Sequence, residues 1–168
     1  MLSTAKLLTL ALLLATFIPP TMSAFTTREQ IIEVVNRLFL YTDAFNWEGL
    51  QSEVFTEVVF FDMSSLGQEA SNMTSQAICA QWEQGLAGID SVFHLVGSHA
   101  VTVNPDNSSE ATVTCYSKAT HYNASATMGH TRDFVGSYDL GMVETDNGWR
   151  MNSFVFNVEF MLGNLGLN

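Results

Sequence analysis

The segment that follows Asp90 constrains the fold most, because apolar and polar residues alternate along it in four long runs. This alternation predicts strands at residues 91–103, 110–122, 131–144 and 149–160. Turn-forming residues lie in the first and last connections, Asn104-Pro105-Asp106-Asn107 and Asp146-Asn147-Gly148. Because short connections of this kind join antiparallel strands, the C-terminal part is predicted to form a long antiparallel meander.

The preceding part has helical spacing instead. Thr26 and Thr27 stand before Glu29, a pattern typical of a helix cap, and apolar residues then recur at helical spacing to about residue 44. Two shorter helices are predicted at residues 47–53 and 74–86, with a strand at 54–62 between them. Three helices followed by a meander predict an α+β domain with its helices on one face of a curved antiparallel sheet.

Residues 1–24 have the features of an export signal. Lys6 is followed by an apolar run, by Pro19-Pro20 and by small residues up to Ala24. The run is too short to cross a bilayer. Glycosylation sequons begin at Asn72, Asn107 and Asn123, which points to the eukaryotic secretory pathway. We therefore expect a cleaved signal, a secreted glycoprotein comprising residues 25–168, and no membrane attachment afterwards.

The acidic composition excludes some partners. All seventeen acidic residues lie after residue 24 but only five basic ones do, a net charge of −12 for the predicted mature chain. Such a surface repels phosphate backbones and anionic membranes, so binding of nucleic acid is not expected. The simpler interpretation is that the acidic excess keeps a secreted protein soluble.

Cys79 and Cys115 are the two cysteines of the chain. An oxidising compartment permits a disulfide between the predicted third helix and a predicted strand. Alternatively, both are separate buried thiols that act as small apolar groups. The sequence does not decide between these, because it gives no distance between the two residues.

Three residues carry chemistry suited to proton transfer near neutral pH: Asp43, His94 and His121. Alternate residues of a strand face the same side of a sheet, so His121 faces the same side as the small apolar residues Val113 and Cys115. It is therefore predicted to lie near the end of the buried face. In a continuous strand Asn123 would face the same side as His121, and a glycan on it cannot point into a closed pocket. Either the strand ends before Asn123 or His121 lies at the mouth of a pocket. Alternation alone does not place His94 inward, because the residues on the opposite side of its predicted strand are more apolar than those on its own side.

Four stretches together resemble the SnoaL-like group of the nuclear transport factor 2-like superfamily. They are Asp43-Ala44-Phe45-Asn46-Trp47 with Leu50, residues 55–62, residues 92–97, and Gly136-Ser137-Tyr138-Asp139 continuing to Asp146-Asn147-Gly148-Trp149-Arg150. The resemblance implies a cone-shaped fold in which helices close a curved sheet over a pocket. It covers nearly the whole predicted mature chain and is more specific for fold than for reaction.

Within this superfamily the chain resembles scytalone dehydratase and bile-acid 7α-dehydratase. That similarity implies that His94, His121 and Asp43 occupy catalytic positions and that His94 faces the pocket. The same resemblance shows departures: Met63 and Phe45 stand where scytalone dehydratase has tyrosines. Tyr138 stands where that enzyme has a substrate-binding asparagine.

These residues predict an enzyme that needs neither a metal nor an organic cofactor. Asp43 orients His94, which removes a proton next to a carbonyl, while His121 or Tyr138 protonates a leaving hydroxyl or binds an enolate oxygen. The substrate is expected to be a small lipophilic, polyketide- or steroid-like molecule. Its predicted contacts, besides Tyr138, are Phe45, Met63, Phe134 and Phe156.

Structural roles for the same residues remain open at this point. Asp43 could cap its own helix or pair with Arg37, His94 could be a satisfied core histidine, and His121 could lie at a wet strand end. Two further functions are therefore considered: a carrier that holds a lipophilic ligand in the same pocket, and an interaction module that pairs with another copy through the outer face of the sheet.

Overall fold

The computed structural model describes residues 25–167, so the predicted export signal lies outside the described residues. The helices are α1 (Thr27–Asp43), α2 (Trp47–Gly49), which continues into a π-helical turn (Leu50–Val54), and α3 (Ser75–Gly85), with a 3-10 turn at Ser64–Leu66. The strands are β1 (Phe55–Asp62), β2 (Ser71–Thr74), β3 (Ser91–Val103), β4 (Glu110–Tyr122), β5 (Thr131–Thr145) and β6 (Gly148–Gly163). Within residues 25–167, no helix has the length and apolar character needed to cross a membrane.

The strands form one six-stranded sheet in the order β2-β1-β6-β5-β4-β3. The predicted meander β3-β4-β5-β6 is confirmed as antiparallel, and the α+β class is confirmed with it. Two features were not predicted: β2 pairs with β1 at the sheet edge, and β1 pairs in parallel with β6. Both depend on contacts between segments distant in sequence, about which local periodicity carries no information.

Helix α1 begins with a capping box. The Thr26 hydroxyl accepts from the Glu29 backbone N–H at 3.3 Å, and the Glu29 carboxylate accepts from the Thr26 N–H at 2.7 Å. Its buried face recurs at helical spacing and packs against β3 and β6. The residues of that face are Ile31, Val34, Val35, Leu38, Phe39 and Thr42. This packing fixes where the last residue of the helix, Asp43, lies relative to the sheet.

A β-bulge in β3 decides which of its side chains face the helices. Gly97 pairs with Tyr116 and Ala100 with Thr114, so Ser98 and His99 lie opposite a single residue of β4. Ser98 takes a left-handed conformation with φ 57°. The extra residue reverses the alternation of side-chain direction along β3. His94 before the bulge and Val101 after it therefore lie on the same side of the sheet.

A second irregularity bends the β5–β6 pair between Val135 and Gly136. Gly136 is required at this point, because a Cβ added to it would overlap the backbone carbonyl of Asn157. Bulges of this kind increase the local curvature of a sheet. The curved sheet leaves a concave face that α1 and α3 cover.

The two cysteines are free buried thiols, so the disulfide alternative is wrong for this structure. Cys79 lies on α3, which packs on β1 and β2, and its thiol donates to the Trp47 carbonyl at 3.6 Å. Cys115 lies on β4, three strands away from β1 in the sheet. Each thiol therefore packs in a different part of the core, as the second alternative held.

The prediction of a glycan at Asn123 conflicts with the fold. Strand β4 ends at Tyr122, and Asn123 is only 6% exposed at the start of the following turn. Its Nδ2 donates to the Gly88 carbonyl at 2.9 Å, and its Oδ1 accepts from Ser125. A glycan on Nδ2 would disrupt these contacts, whereas Asn72 and Asn107 are exposed and remain compatible with the prediction.

Candidate active site

Asp43 is the last residue of α1, and both of its carboxylate oxygens bind the same residue of β3. Oδ1 lies 2.6 Å from His94 Nδ1, and Oδ2 accepts from the His94 backbone N–H at 3.0 Å. The two side chains are 20% and 8% exposed, respectively, so the pair is largely shielded from solvent. A charge-assisted hydrogen bond is stronger in such surroundings than in water.

The structural alternatives for Asp43 do not describe these contacts. Arg37 pairs with Glu33 and Glu53 at 3.3 and 3.2 Å rather than with Asp43. The backbone N–H of Ala44 donates to carbonyls of its own helix. Within the described residues, the carboxylate of Asp43 is therefore used to hold His94.

The contact with Asp43 sets the tautomer of His94. A carboxylate accepts hydrogen bonds, so Nδ1 must carry the proton that it donates. In the neutral ring this leaves Nε2 without a proton and able to act as a base. The ring is held on its other side by Phe39, whose centroid is 5.1 Å from that of His94.

His121 reaches the same cavity from β4, on the face that also carries Cys115 and Ala119. Burial lowers its pKa to about 4, and the nearby positive charge of Arg132 acts in the same direction. His121 is therefore a neutral imidazole at pH 7, and it can offer a hydrogen bond without adding charge to the cavity.

Tyr138 of β5 is 3% exposed and stacks on Phe156, with ring centroids 4.4 Å apart. Burial raises the pKa of its hydroxyl far above the usual value for tyrosine. It also contacts Phe39, at a centroid distance of 5.0 Å. Tyr138 therefore remains a neutral phenol across the physiological range and cannot serve as a base there.

These groups surround a cavity of about 250 Å³ beneath α1 and α3. His94, His121 and Tyr138 are among its lining residues, as are Met63, Phe134 and Phe156, which the sequence analysis placed at a substrate pocket. Most of the other lining side chains are apolar. The structure thus brings the polar candidates and three of the four predicted apolar contacts to one place.

Phe45 is the exception, so the prediction that it contacts substrate is wrong for this cavity. It does not line the cavity but packs beside a small cluster formed by Ile89, Val92 and Leu167. Its backbone has φ 53°, which turns the chain sharply after the C-terminal end of α1. The side chain consequently lies against Trp47, with ring centroids 5.9 Å apart.

Sequence reasoning missed other lining residues. Gln68 and Gln81 bond reciprocally, at 2.7 and 3.3 Å, and add an amide pair to the lining. Phe39 and Thr42 could have been found from the helical spacing of α1, because they lie four residues and one residue, respectively, before Asp43 on its buried face. Nothing in the local sequence signalled Gln68, which follows the 3-10 turn.

The described residues contain no candidate metal site. Among residues 25–167 there is no group of three or more histidine, cysteine, aspartate or glutamate side chains arranged to bind a metal ion. The polar side chains at the cavity supply a base, its carboxylate partner and two neutral hydrogen-bond donors.

The sequence assigns this chain to a known family. The model of the SnoaL-like domain matches residues 23–155, so the chain belongs to the SnoaL-like domain family. Its fold is that of the nuclear transport factor 2-like superfamily, which includes scytalone dehydratase-like proteins. No curated protein matches the sequence significantly.

Solved structures share the architecture over most of their length. The protein Kfla4162 of Kribbella flavida is 22% identical with a TM-score of 0.74, covering 81% of this chain and 93% of that one. A candidate scytalone dehydratase of Novosphingobium aromaticivorans is 14% identical with a TM-score of 0.67, covering 82% and 87%. Hexachlorocyclohexane dehydrochlorinase type 3 of Novosphingobium barchaimii is 7% identical with a TM-score of 0.66, covering 84% and 92%. At these identities the likeness concerns the fold.

Proposed function

We propose that this SnoaL-like protein is a lyase or isomerase that removes a proton next to a carbonyl group, with elimination of water as its most natural outcome. The observation that carries the proposal is the Asp43–His94 pair, joined at 2.6 Å, in which the His94 side chain lines an apolar cavity. A carboxylate-oriented imidazole is the arrangement that general-base catalysis requires.

The first step uses His94 Nε2. It takes a proton from the carbon next to the substrate carbonyl. The electron pair of the broken C–H bond forms a carbon–carbon double bond to the carbonyl carbon, and the carbonyl π electrons move to the oxygen. Asp43 stabilises the imidazolium that forms, because its negative charge lies against Nδ1. Desolvation of the pair strengthens that interaction relative to bulk water.

The enolate oxygen then needs hydrogen-bond donors. His121 and Tyr138 both line the cavity as neutral groups, so each can donate to an oxyanion. In an elimination the enolate electrons re-form the carbonyl, a carbon–carbon double bond forms, and the β-hydroxyl leaves with the proton that His94 returns. The products are an unsaturated carbonyl compound and water, so the step balances with no added reagent.

The cavity restricts the size and polarity of the substrate. Its volume of about 250 Å³ is just below the usual range for small-molecule sites, roughly 300–1,000 Å³. Within the expected lipophilic class this favours a compact polyketide-like molecule of one or two rings over a four-ring steroid. Phe134, Phe154 and Phe156 supply flat apolar surfaces for such rings.

The names of the structural neighbours support an elimination. One is described as a candidate scytalone dehydratase and others as hexachlorocyclohexane dehydrochlorinases. Loss of water and loss of hydrogen chloride both begin with removal of a proton from carbon. The cavity of the present protein contains a suitably oriented base for that shared step.

The test is turnover of a panel of one- and two-ring β-hydroxy ketones by purified protein, followed by the absorbance of the unsaturated product. Solvent-deuterium exchange at the α-carbon, followed by NMR, detects proton removal even where no group leaves. His94→Gln should abolish both signals, whereas His130→Gln, a change in an exposed turn, should leave them intact. Turnover that persists in His94→Gln would contradict the proposal.

A carrier for a lipophilic small molecule is the second candidate, favoured by the predominantly apolar lining of the cavity. Binding of the same ketones, measured by calorimetry for the wild type and His94→Gln, separates the two candidates. Lost turnover with retained binding supports the enzyme. Binding with no turnover or exchange by the wild type across the panel supports the carrier.

We further propose that the protein is secreted after cleavage near residue 24 and carries glycans at Asn72 and Asn107. Support comes from the apolar N-terminal segment and from the exposure of both asparagines. N-terminal sequencing of protein from the medium of a eukaryotic host, with and without enzymatic deglycosylation, tests this. A start at residue 1, or no mass loss on deglycosylation, would argue against it.

Two copies are proposed to pair through the outer face of the sheet. Phe93, Leu95 and Tyr116 are 56%, 59% and 69% exposed on adjacent strands of that face. Analytical ultracentrifugation should show a dimer that Leu95→Lys dissociates. A monomeric wild type would reject the pairing without affecting the proposed chemistry.

A further inference from the structure

The structure pairs His121 with a cation on the neighbouring strand. His121 of β4 and Arg132 of β5 are direct cross-strand partners in the register, so their side chains share the concave face of the sheet. The guanidinium NH2 group of Arg132 lies 3.3 Å from Nδ1 of His121. A guanidinium has donors and no acceptor, so at this contact Nδ1 must accept.

Arg132 is held in that position from two other sides. Its guanidinium carbon lies 5.0 Å from the centroid of the Phe134 ring, within the range of a cation–π contact. Its NH1 group donates to the carbonyl of Leu165 at 3.5 Å, in the turn that follows β6. The Phe134 ring also contacts His121, at a centroid distance of 5.1 Å.

No carboxylate neutralises this cation within the described residues. The salt bridges there involve Arg37, His94 and Lys118 but not Arg132, and the Arg132 Nε is buried without a hydrogen-bond partner. Its positive charge is therefore available to act on the adjacent imidazole. Partial burial of Arg132 makes that interaction stronger than at a fully exposed surface.

We propose that Arg132 is a positioning residue for His121. By donating to Nδ1 it fixes the Nε2–H tautomer, and its charge opposes addition of a second proton to the ring. His121 therefore presents a neutral N–H donor instead of a second base. The roles of the two histidines are opposite because their Nδ1 atoms face opposite partners: a carboxylate at His94 and a guanidinium at His121.

The surroundings of His121 support this on charge as well as on geometry. Burial is the main cause that lowers its pKa to about 4, and Arg132 on β5 and His94 on β3 both lower it further. Asp43 on α1 is the one nearby charge that raises it. Removal of Arg132 should therefore raise the pKa of His121, while burial keeps it below the usual value.

The catalytic consequence of this pairing rests on the proposed function. If the substrate develops an enolate, a neutral Nε2–H backed by a guanidinium binds the oxyanion without competing with His94 for the α-proton. The tautomer itself does not depend on any turnover. It can therefore be tested in the free protein.

Long-range ¹H–¹⁵N correlation spectra of ¹⁵N-histidine-labelled protein between pH 3 and 8 test the assignment. His121, identified by loss of its signals in His121→Asn, should show a protonated Nε2 and an unprotonated Nδ1 at neutral pH. In Arg132→Met the two tautomers should mix, and the titration midpoint should rise by about half a pH unit or more. Arg132→Lys retains the positive charge and should preserve the low midpoint.

Arg150→Met is the matched control, because Arg150 lies on β6 and donates to the backbone carbonyls of Ser52 and Trp149, away from His121. It should leave the His121 signals unchanged. An Nδ1–H tautomer in the wild type would overturn the proposal even if Arg132→Met fails to fold, and so would an unchanged His121 spectrum in a folded Arg132→Met. If the protein is an active enzyme, Arg132→Met should lower kcat more than it raises KM. If the wild type shows no turnover, the proposed function fails, but the tautomer of His121 is still decided by the spectra.

Discussion

Asp43 binds His94 at two points, through the ring Nδ1 at 2.6 Å and the backbone N–H at 3.0 Å, although the two residues are 51 positions apart in the sequence. A carboxylate at the C-terminal end of a helix is unfavourable for the helix itself, because the macrodipole places partial negative charge there. The contact with His94 offsets that cost. It also orients the imidazole relative to both α1 and β3.

Asp43→Asn is expected to inactivate the proposed enzyme while keeping its fold. The amide nitrogen of asparagine can donate to Nδ1, which would move the ring proton to Nε2 and remove the base. We expect kcat to fall by about 10³- to 10⁴-fold with a smaller change in KM. Steady-state kinetics measure this, with circular dichroism as the check on folding; a loss under tenfold would mean that His94 does not need its carboxylate.

Tyr138→Phe removes one hydroxyl and keeps the ring that stacks on Phe156. If Tyr138 donates to the enolate oxygen, kcat should fall by about 10²-fold. Thermal unfolding should change little, because the buried ring and its packing are retained. Met63→Ala is the comparison, because it alters the shape of the cavity but removes no hydrogen-bond donor. Loss of fit should mainly raise KM, whereas loss of a hydrogen bond should mainly lower kcat.

The low pKa of His121 predicts a loss of stability in acid. Above about pH 6.5 the ring is neutral in both the folded and the unfolded chain. Between there and a folded-state pKa of about 4, only the unfolded chain binds the proton, so the free energy of unfolding falls as the pH falls. The contribution of this residue reaches roughly 3 kcal/mol at most.

Urea denaturation at pH 7.0, 5.5 and 4.5 measures this dependence. His121→Asn should flatten it relative to the wild type, because asparagine does not titrate. His130→Asn replaces an exposed histidine by the same residue type and serves as the matched variant. Equal slopes for all three proteins would show that His121 titrates normally in the folded state.

The buried thiols should be inert in the native protein. Burial raises the pKa of both Cys79 and Cys115 to about 11, so only about one thiol in 10³ is ionised at pH 8. Reaction with a thiol-specific disulfide reagent should be slow in buffer and rapid in guanidinium chloride, with two thiols counted in the unfolded chain. If no free thiol is detected in the unfolded chain without reductant, the disulfide alternative would be restored.

Local patterning determined a large part of this molecule. Strict alternation in β4 correctly placed Val113, Cys115 and Ala119 on the buried face, and helical spacing correctly identified the buried side of α1. These predictions succeed because side-chain direction within a regular element follows from backbone geometry alone. The order of helices and strands then defined the α+β class, and the resemblance to known sequences supplied the expected positions of Asp43 and His94.

Only the tertiary structure decided how those elements meet. The bulge at Ser98 and His99 reverses the alternation of β3, which is why alternation alone did not place His94 inward. The Arg132–His121 contact, the burial of Asn123 and the displacement of Phe45 from the cavity follow from strand register and from a sharp turn after α1. Register, bulges and turns depend on which distant segments pair, and short-range periodicity does not encode that choice.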